Sequence, residues 1–229
     1  MSSDLDTVLP DGDDGDEGPD NGGRRTVVIL TCVLVVAALI VVGTAGWLVG
    51  NRSSIKAVSE KSVDAGFARD MSTHHTQAVV MASYARDYST NPSIQLIARD
   101  IEDEQYFQLG EMQGWLDTWN LSRTSSVPAM SWMGSDGASM VVNGLMPGMA
   151  TPEQMTQLQK LTGNALDIDF LQLMLRHHQG GVTMAGYAAD HATTPYVRQL
   201  ASKMVQQQNN EIITMEQLLR GLGGTPLPN

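Results

Sequence analysis

The sequence predicts an all-α protein: an antiparallel four-helix bundle built from two repeated helical hairpins, preceded by one transmembrane helix. Three observations carry this. Shifting the chain by 103 residues aligns its second half on its first without gaps. Apolar side chains recur at spacings of three and four along four long segments. An uncharged run from Thr26 to Gly50 is long enough to cross a bilayer as a helix.

The elements follow in chain order. Residues 1–25 hold eight acids and two arginines and few apolar side chains. Such a segment buries too little surface to offset its ordering entropy, so it reads as a disordered acidic tail. Residues 26–50 would reach about 36 Å as a helix. A cleaved signal peptide is the competing reading. Its apolar region is about 7–15 residues with a small-residue cleavage site, whereas this run is longer and ends in Trp47-Leu48-Val49, so an uncleaved anchor is favoured. Arg24 and Arg25 argue for a cytoplasmic N-terminus and an extracytoplasmic C-terminal domain, a single-pass arrangement in the cell membrane; Arg52 and Lys56 weaken that bias. Residues 51–62 read as a linker.

Residues 63–221 are one unit written twice. Asp64 falls on Asp167, Phe67 on Phe170, Met71 on Met174, His74-His75 on His177-His178, and Met81-Ala82 on Met184-Ala185. Roughly a third of positions 64–116 match their partners, which indicates a duplicated structural unit. In the first unit Phe67, Met71, His74, Ala78, Met81 and Ala85 form a helical stripe. Asn91-Pro92 then reads as an N-cap with proline in the first turn, opening a second stripe through Ile94, Ala98, Ile101, Gln105, Met112 and Leu116. The second unit repeats both stripes, with Thr194-Pro195 opening the last helix and Gly221, Gly223, Gly224 and Pro226 closing it. Neither hairpin can bury its apolar face alone, and together they make a bundle. Between the units, residues 120–150 form a crossover with five methionines and Trp132. Thr151-Pro152-Glu153 restarts a helix, which Gly163-Asn164 breaks or kinks. Residues 222–229 are a tail.

Composition excludes several functions. The net charge is −11 and no basic block exists, which argues against nucleic-acid binding. Cys32 is the sole cysteine, so the chain holds no internal disulfide and no multi-Cys metal site. No hydrolase, zincin or phosphate-loop pattern occurs, and nothing calls for an organic cofactor.

Four of the five histidines stand in two His-His pairs at the same register of the repeat. His74 and His177 fall on the core stripes; His75 and His178 lie about 100° further round, at the stripes' edges. Facing stripes would bring four imidazoles and up to four thioethers to one level. A core has no need of four adjacent imidazoles, each with a polar nitrogen to satisfy, so these residues read as metal ligands: Met71, His74, His75, Met81, Met174, His177, His178 and Met184. Thioether with imidazole and no thiolate favours copper, above all Cu(I), over zinc. The Glu-x-x-His pattern of di-iron sites is absent, since Met71 and Met174 stand three residues before the histidines. Gln105 and Gln208 are expected to bond the imidazoles as a second layer, or equally to bond each other. Asp64 and Asp167 would either orient histidines or stabilise helix starts. The alternative account makes the chain a structural or docking subunit of a membrane complex or a homo-oligomer, with the His pairs packing and hydrogen-bonding. A redox enzyme at the same core ranks third.

Phe67-x-x-x-Met71-x-x-His74-His75-x-x-Ala78-x-x-Met81-Ala82, then Met146-Pro147-Gly148-Met149, then Asp167-x-x-Phe170-x-x-x-Met174-x-x-His177-His178-Gln179-Gly180-x-x-x-Met184-Ala185, resemble a bacterial family called domain of unknown function 305. The resemblance covers about residues 60–221 and leaves out the N-terminal anchor. It implies a ferritin-like, four-helical fold and, since some members are exported copper- or silver-binding proteins, a metal-binding or metal-tolerance role. The first unit departs from the second at Thr76-Gln77, where the second has Gln179-Gly180.

Overall fold

The structure is a computed structural model that describes residues 21–50 and 58–228. The acidic segment 1–20 and most of the expected linker, 51–57, lie outside the described residues. The chain divides into two units, Met1–Lys56 and Ala57–Asn229.

In the first unit a single helix, α1, spans Asn21–Gly50. It takes in the whole uncharged run and also residues 21–25, which the composition assigned to the tail. Extending an existing helix adds a hydrogen bond for each residue fixed, so an apolar helix readily recruits such flanks. Its window Val27–Thr44 is long and apolar enough to cross a membrane.

The second unit is helical too, and the described residues contain no strand, only an isolated bridge between Val142 and Leu145. The helices are α2 (Val63–Tyr88), α3 (Pro92–Thr118), α4 (Pro152–Leu158), α5 (Gly163–His191) and α6 (Pro195–Gly221). The local signals act as their chemistry dictates. Ser62 accepts from the Ala65 N–H at the start of α2, and Asn91 from the Ser93 N–H at the start of α3. Thr151 and Gln154 form a reciprocal capping box on α4. Gly163, at φ +56°, is the first residue of α5. Gly223, at φ +79°, ends α6, and the Gly224 N–H returns to the Leu219 carbonyl at 2.9 Å.

α2 packs along α3, and α5 along α6; α2 joins the two hairpins by packing on α5, while α3 and α6 barely touch. α2 and α5 run antiparallel, because their opposite ends are tied together. The Asp64 carboxylate, at the start of α2, accepts from the Thr193 and Thr194 N–H groups beyond the end of α5, at 3.0 and 2.7 Å. Ser89, at the end of α2, donates to Asp167 at the start of α5, at 2.6 Å.

The core falls into two apolar clusters. One holds Phe67, Met71, Met112, Leu116 and Met184; the other holds Phe170, Met174, Met215, Leu219 and Met81. Each of these five residues of the first has its counterpart 103 positions away in the second. Phe67 and Phe170 are both fully buried, a burial that stabilises by about 1.5–3 kcal/mol each.

Candidate metal centre

Along α2 His74 stands between Met71 and Met81, and along α5 His177 stands between Met174 and Met184. The antiparallel pairing puts Met71 with Met184 in one cluster and Met81 with Met174 in the other, with the histidines between. The His74 and His177 rings lie 3.7 Å apart between centroids, tilted by 36°. The His177 and His178 rings are 6.5 Å apart. All four motif histidines and all four thioether side chains are buried.

His75 and His178 are fully buried as well, not at an edge, because α3 and α6 cover them. His75 Nε2 pairs with Oε1 of Gln108 at 2.7 Å, and His178 Nε2 with Oε2 of Glu211 at 2.7 Å. In each half the partner stands 33 residues further on. His74 Nε2 pairs with the Pro147 carbonyl at 3.0 Å. These three oxygens only accept, so in each ring Nε2 carries a hydrogen, and in His74 and His75, whose pKa values are lowered, Nδ1 keeps its lone pair. The Nδ1 atoms of His74, His75 and His178 and Nε2 of His177 are buried with no partner. So are Oε1 of Gln105 and Oε1 of Gln208. Of nine such atoms among the described residues, four belong to these histidines.

Electrostatics keep those lone pairs free. Burial lowers the His74 pKa to about 4 against the hydrogen bond to Pro147, and lowers that of His75 to about 3. Burial, reinforced by the neighbouring imidazoles of His74, His178 and His75, holds His177 well below its ordinary value. These three are neutral at pH 7 and able to ligate. Bare imidazole nitrogens beside thioethers suit a soft cation such as Cu(I). The four nitrogens do not meet at one point: among the described residues no group of three or more His, Cys, Asp or Glu side chains is set to hold one ion. The expected fourfold convergence is absent because Gln108 and Glu211 turn His75 and His178 toward α3 and α6. An ion here would take its remaining ligands from methionine sulfur.

The crossover closes the α2/α5 side of this layer. Its Met146-Pro147-Gly148-Met149 turn supplies the Pro147 carbonyl, and Gly148 sits at φ +79°. A Cβ at Gly180 would come within 2.0 Å of the Pro147 oxygen. The repeat partner of Gly180 is Gln77, whose amide grips both backbone groups of Ala150, at 2.9 and 2.7 Å. The departure between the units therefore has a physical reason. One crossover serves both halves, so one helix must hold it and the other must make room. Trp132 anchors its far part, edge-on to Phe67 and Tyr187 and donating to Asp70 at 2.7 Å.

Of the expected second layer, Gln105 and Gln208 are buried in the core but neither carbonyl oxygen finds a partner, so they do not satisfy each other. Gln208 instead packs on Gly181, where a Cβ would meet its Oε1 at 2.4 Å. Asp64 and Asp167 bond the far ends of the helices and do not reach the histidines. Burial works to raise the Asp64 carboxyl, but hydrogen bonds from Thr194 and Thr193 outweigh it and hold the carboxyl below its ordinary range. The groups that do bond the histidines, Gln108, Glu211 and the Pro147 carbonyl, escaped the sequence reading. The common 33-residue offset in the two halves was the available signal.

The fold and the site define an all-helical protein with paired histidines in a methionine-rich core. The chain belongs to the family described as domain of unknown function (DUF305), which matches residues 64–219. A DUF305 protein from Streptomyces coelicolor is similar at 42% identity and TM-score 0.69, over 75% of this chain and 100% of that one. A DUF305 fragment from Deinococcus radiodurans is similar at 30% identity and TM-score 0.58, over 69% and 96%. CopM in its Cu(I)-bound form is similar at 25% identity and TM-score 0.54, over 70% and 98%. No curated protein matches the chain.

Proposed function

We propose that this chain is a membrane-anchored, exported metal-binding protein that binds or sequesters copper as Cu(I), without catalysis, through its two Met-x-x-His-His motifs in a ferritin-like, antiparallel four-helix bundle. The observation that carries the reading is the set of four buried imidazoles, each with one unpartnered nitrogen, between two methionine-bearing clusters. An unmet buried polar atom costs about 1–3 kcal/mol, and a bound cation would repay that cost at each nitrogen it reaches. His74 Nδ1, His177 Nε2 and the sulfurs of Met71, Met81, Met174 and Met184 are the leading ligands, followed by Nδ1 of His75 and His178. The likeness to CopM, which is known in Cu(I)-bound and Cu(II)-bound forms, supports the choice of metal. The apolar window of α1 supports the anchor. A docking subunit with the His pairs as packing residues is the weaker account, because it leaves those nitrogens unmet.

The test is a competition titration of untagged protein against a chromophoric Cu(I) chelator. Wild type is expected to take copper from the chelator, and a His74→Ala, His177→Ala variant to lose that ability. Equal affinity in both would end the metal reading.

A further inference from the structure

The two halves differ where they touch their outer histidines. On α3, Glu104 and Gln108 occupy the positions that Gln207 and Glu211 hold on α6. Carboxylate and amide have exchanged places. His75 therefore meets an amide oxygen and His178 a carboxylate, both at 2.7 Å. The exchange makes one hydrogen-bonded chain across the seam where α3 and α6 barely touch. The Gln108 amide donates to Glu104 at 2.8 Å and to Gln207 at 3.3 Å, and the Gln207 amide donates to Glu211 at 3.3 Å. Glu211 thus accepts from His178 through one oxygen and from Gln207 through the other.

A carboxylate behind an imidazole fixes its orientation and raises its strength as a ligand more than a neutral amide does. Its charge also offsets a cation brought into the core. We propose that the two motifs are unequal: Glu211 is a positioning residue that makes His178 a stronger donor than His75, so a Cu(I) ion held through His178 loads first and one held through His75 second. This rests on the metal-binding reading above and adds an order of loading to it.

The test compares full-length wild type with Glu211→Gln and Glu104→Gln in anaerobic Cu(I) titrations against a chromophoric chelator. Glu211→Gln gives the second half the residue that the first half has at that position, so it suits the fold. Wild type is expected to bind in two resolved steps. Glu211→Gln should weaken the tighter step by about 10–100-fold and leave the weaker step in place. Glu104→Gln removes the same charge without touching a histidine through it and should leave the tighter step intact. In the copper-free protein, the imidazole nitrogen resonances of His178 should shift in Glu211→Gln while those of His75 stay. Two equal steps, or equal weakening by both variants, would overturn the order of loading while leaving metal binding intact. Unmoved His178 resonances would do the same. No Cu(I) uptake by wild type would overturn both.

Discussion

The rings of His74 and His177 lie 3.7 Å apart between centroids, tilted by 36°, with Nδ1 of one and Nε2 of the other left bare. Neither nitrogen is close enough in the right direction to bond the other ring. Two neutral imidazoles held this way each leave one nitrogen unpaired in the core, the feature on which the proposed ligand role rests. The predictions below follow from that pair and from what surrounds it.

Replacing Met71 and Met174 together by Leu is expected to weaken Cu(I) binding by tenfold or more while Zn(II) binding changes little. Sulfur contributes to a soft cation and hardly to zinc. The two side chains are buried and of similar volume to Leu, so the packing cost should stay below about 1.5 kcal/mol per site. Parallel Cu(I) and Zn(II) competition titrations, with thermal melts, check both halves of this expectation.

Acid should destabilise the metal-free fold through its histidines. His74 is lowered from 6.5 to about 4, His75 from 6.5 to about 3, and His177 is lowered as well. Above about pH 6.5 folded and unfolded forms both carry neutral imidazoles and nothing is lost. Below it the unfolded chain takes up protons that the folded core refuses, so stability falls with pH until the folded values are reached near 4 and 3. Free imidazole would predict copper release near pH 6; with these buried rings proton competition moves toward pH 4. Melting temperatures between pH 7.5 and 4, with and without copper, measure both effects. A flat profile would contradict the buried neutral histidines.

Gly180→Ala is expected to lift the crossover off α5. The new Cβ would lie 2.0 Å from the Pro147 oxygen, a backbone atom that cannot rotate away. Overpacking of this kind costs about 1–3 kcal/mol, and it would also free the His74 Nε2–H. Faster hydrogen exchange over 146–150, with unchanged exchange in α6, is the outcome to look for.

Asp64→Ala should destabilise the fold without touching the proposed metal site. It removes three hydrogen bonds, from the Thr193 N–H, the Thr193 hydroxyl and the Thr194 N–H. Loss of a cap of this sort costs about 0.5–2 kcal/mol, a fall of a few degrees in Tm for a domain of this size. Cu(I) affinity at 25 °C should stay at the wild-type value. A large loss of affinity would return Asp64 to the second layer of the site.

Residues 26–50 are expected to stay in the mature protein. Intact-mass measurement on protein extracted from membranes checks this. A mature N-terminus between 46 and 52 would identify a cleaved signal instead.

Much of the helical pattern was legible because it is written locally. Asn91-Pro92 starts α3, Gly223 ends α6, and the stripes of α2 and α5 fall on buried faces. Periodicity along a single helix puts His75 and His178 at the edge of the apolar stripe, whereas both are fully buried. An angle on a helical wheel says which way a side chain points and nothing about what covers it, and here α3 and α6 cover both.

The sequence by itself determined most of the helix positions and the presence of two Met-x-x-His-His motifs 103 residues apart. Only the tertiary structure decided how they are used. Thr194 opens α6 without a side-chain cap of its own, and its N–H is taken by Asp64 from 130 residues away. His74 takes the Pro147 carbonyl from 73 residues away, and the outer histidines divide between an amide and a carboxylate. Periodicity is set by bonds between near neighbours in the chain and can be read from it. The partner of a buried polar atom is set by which segments the packing brings together, and that is fixed only when the whole core has formed.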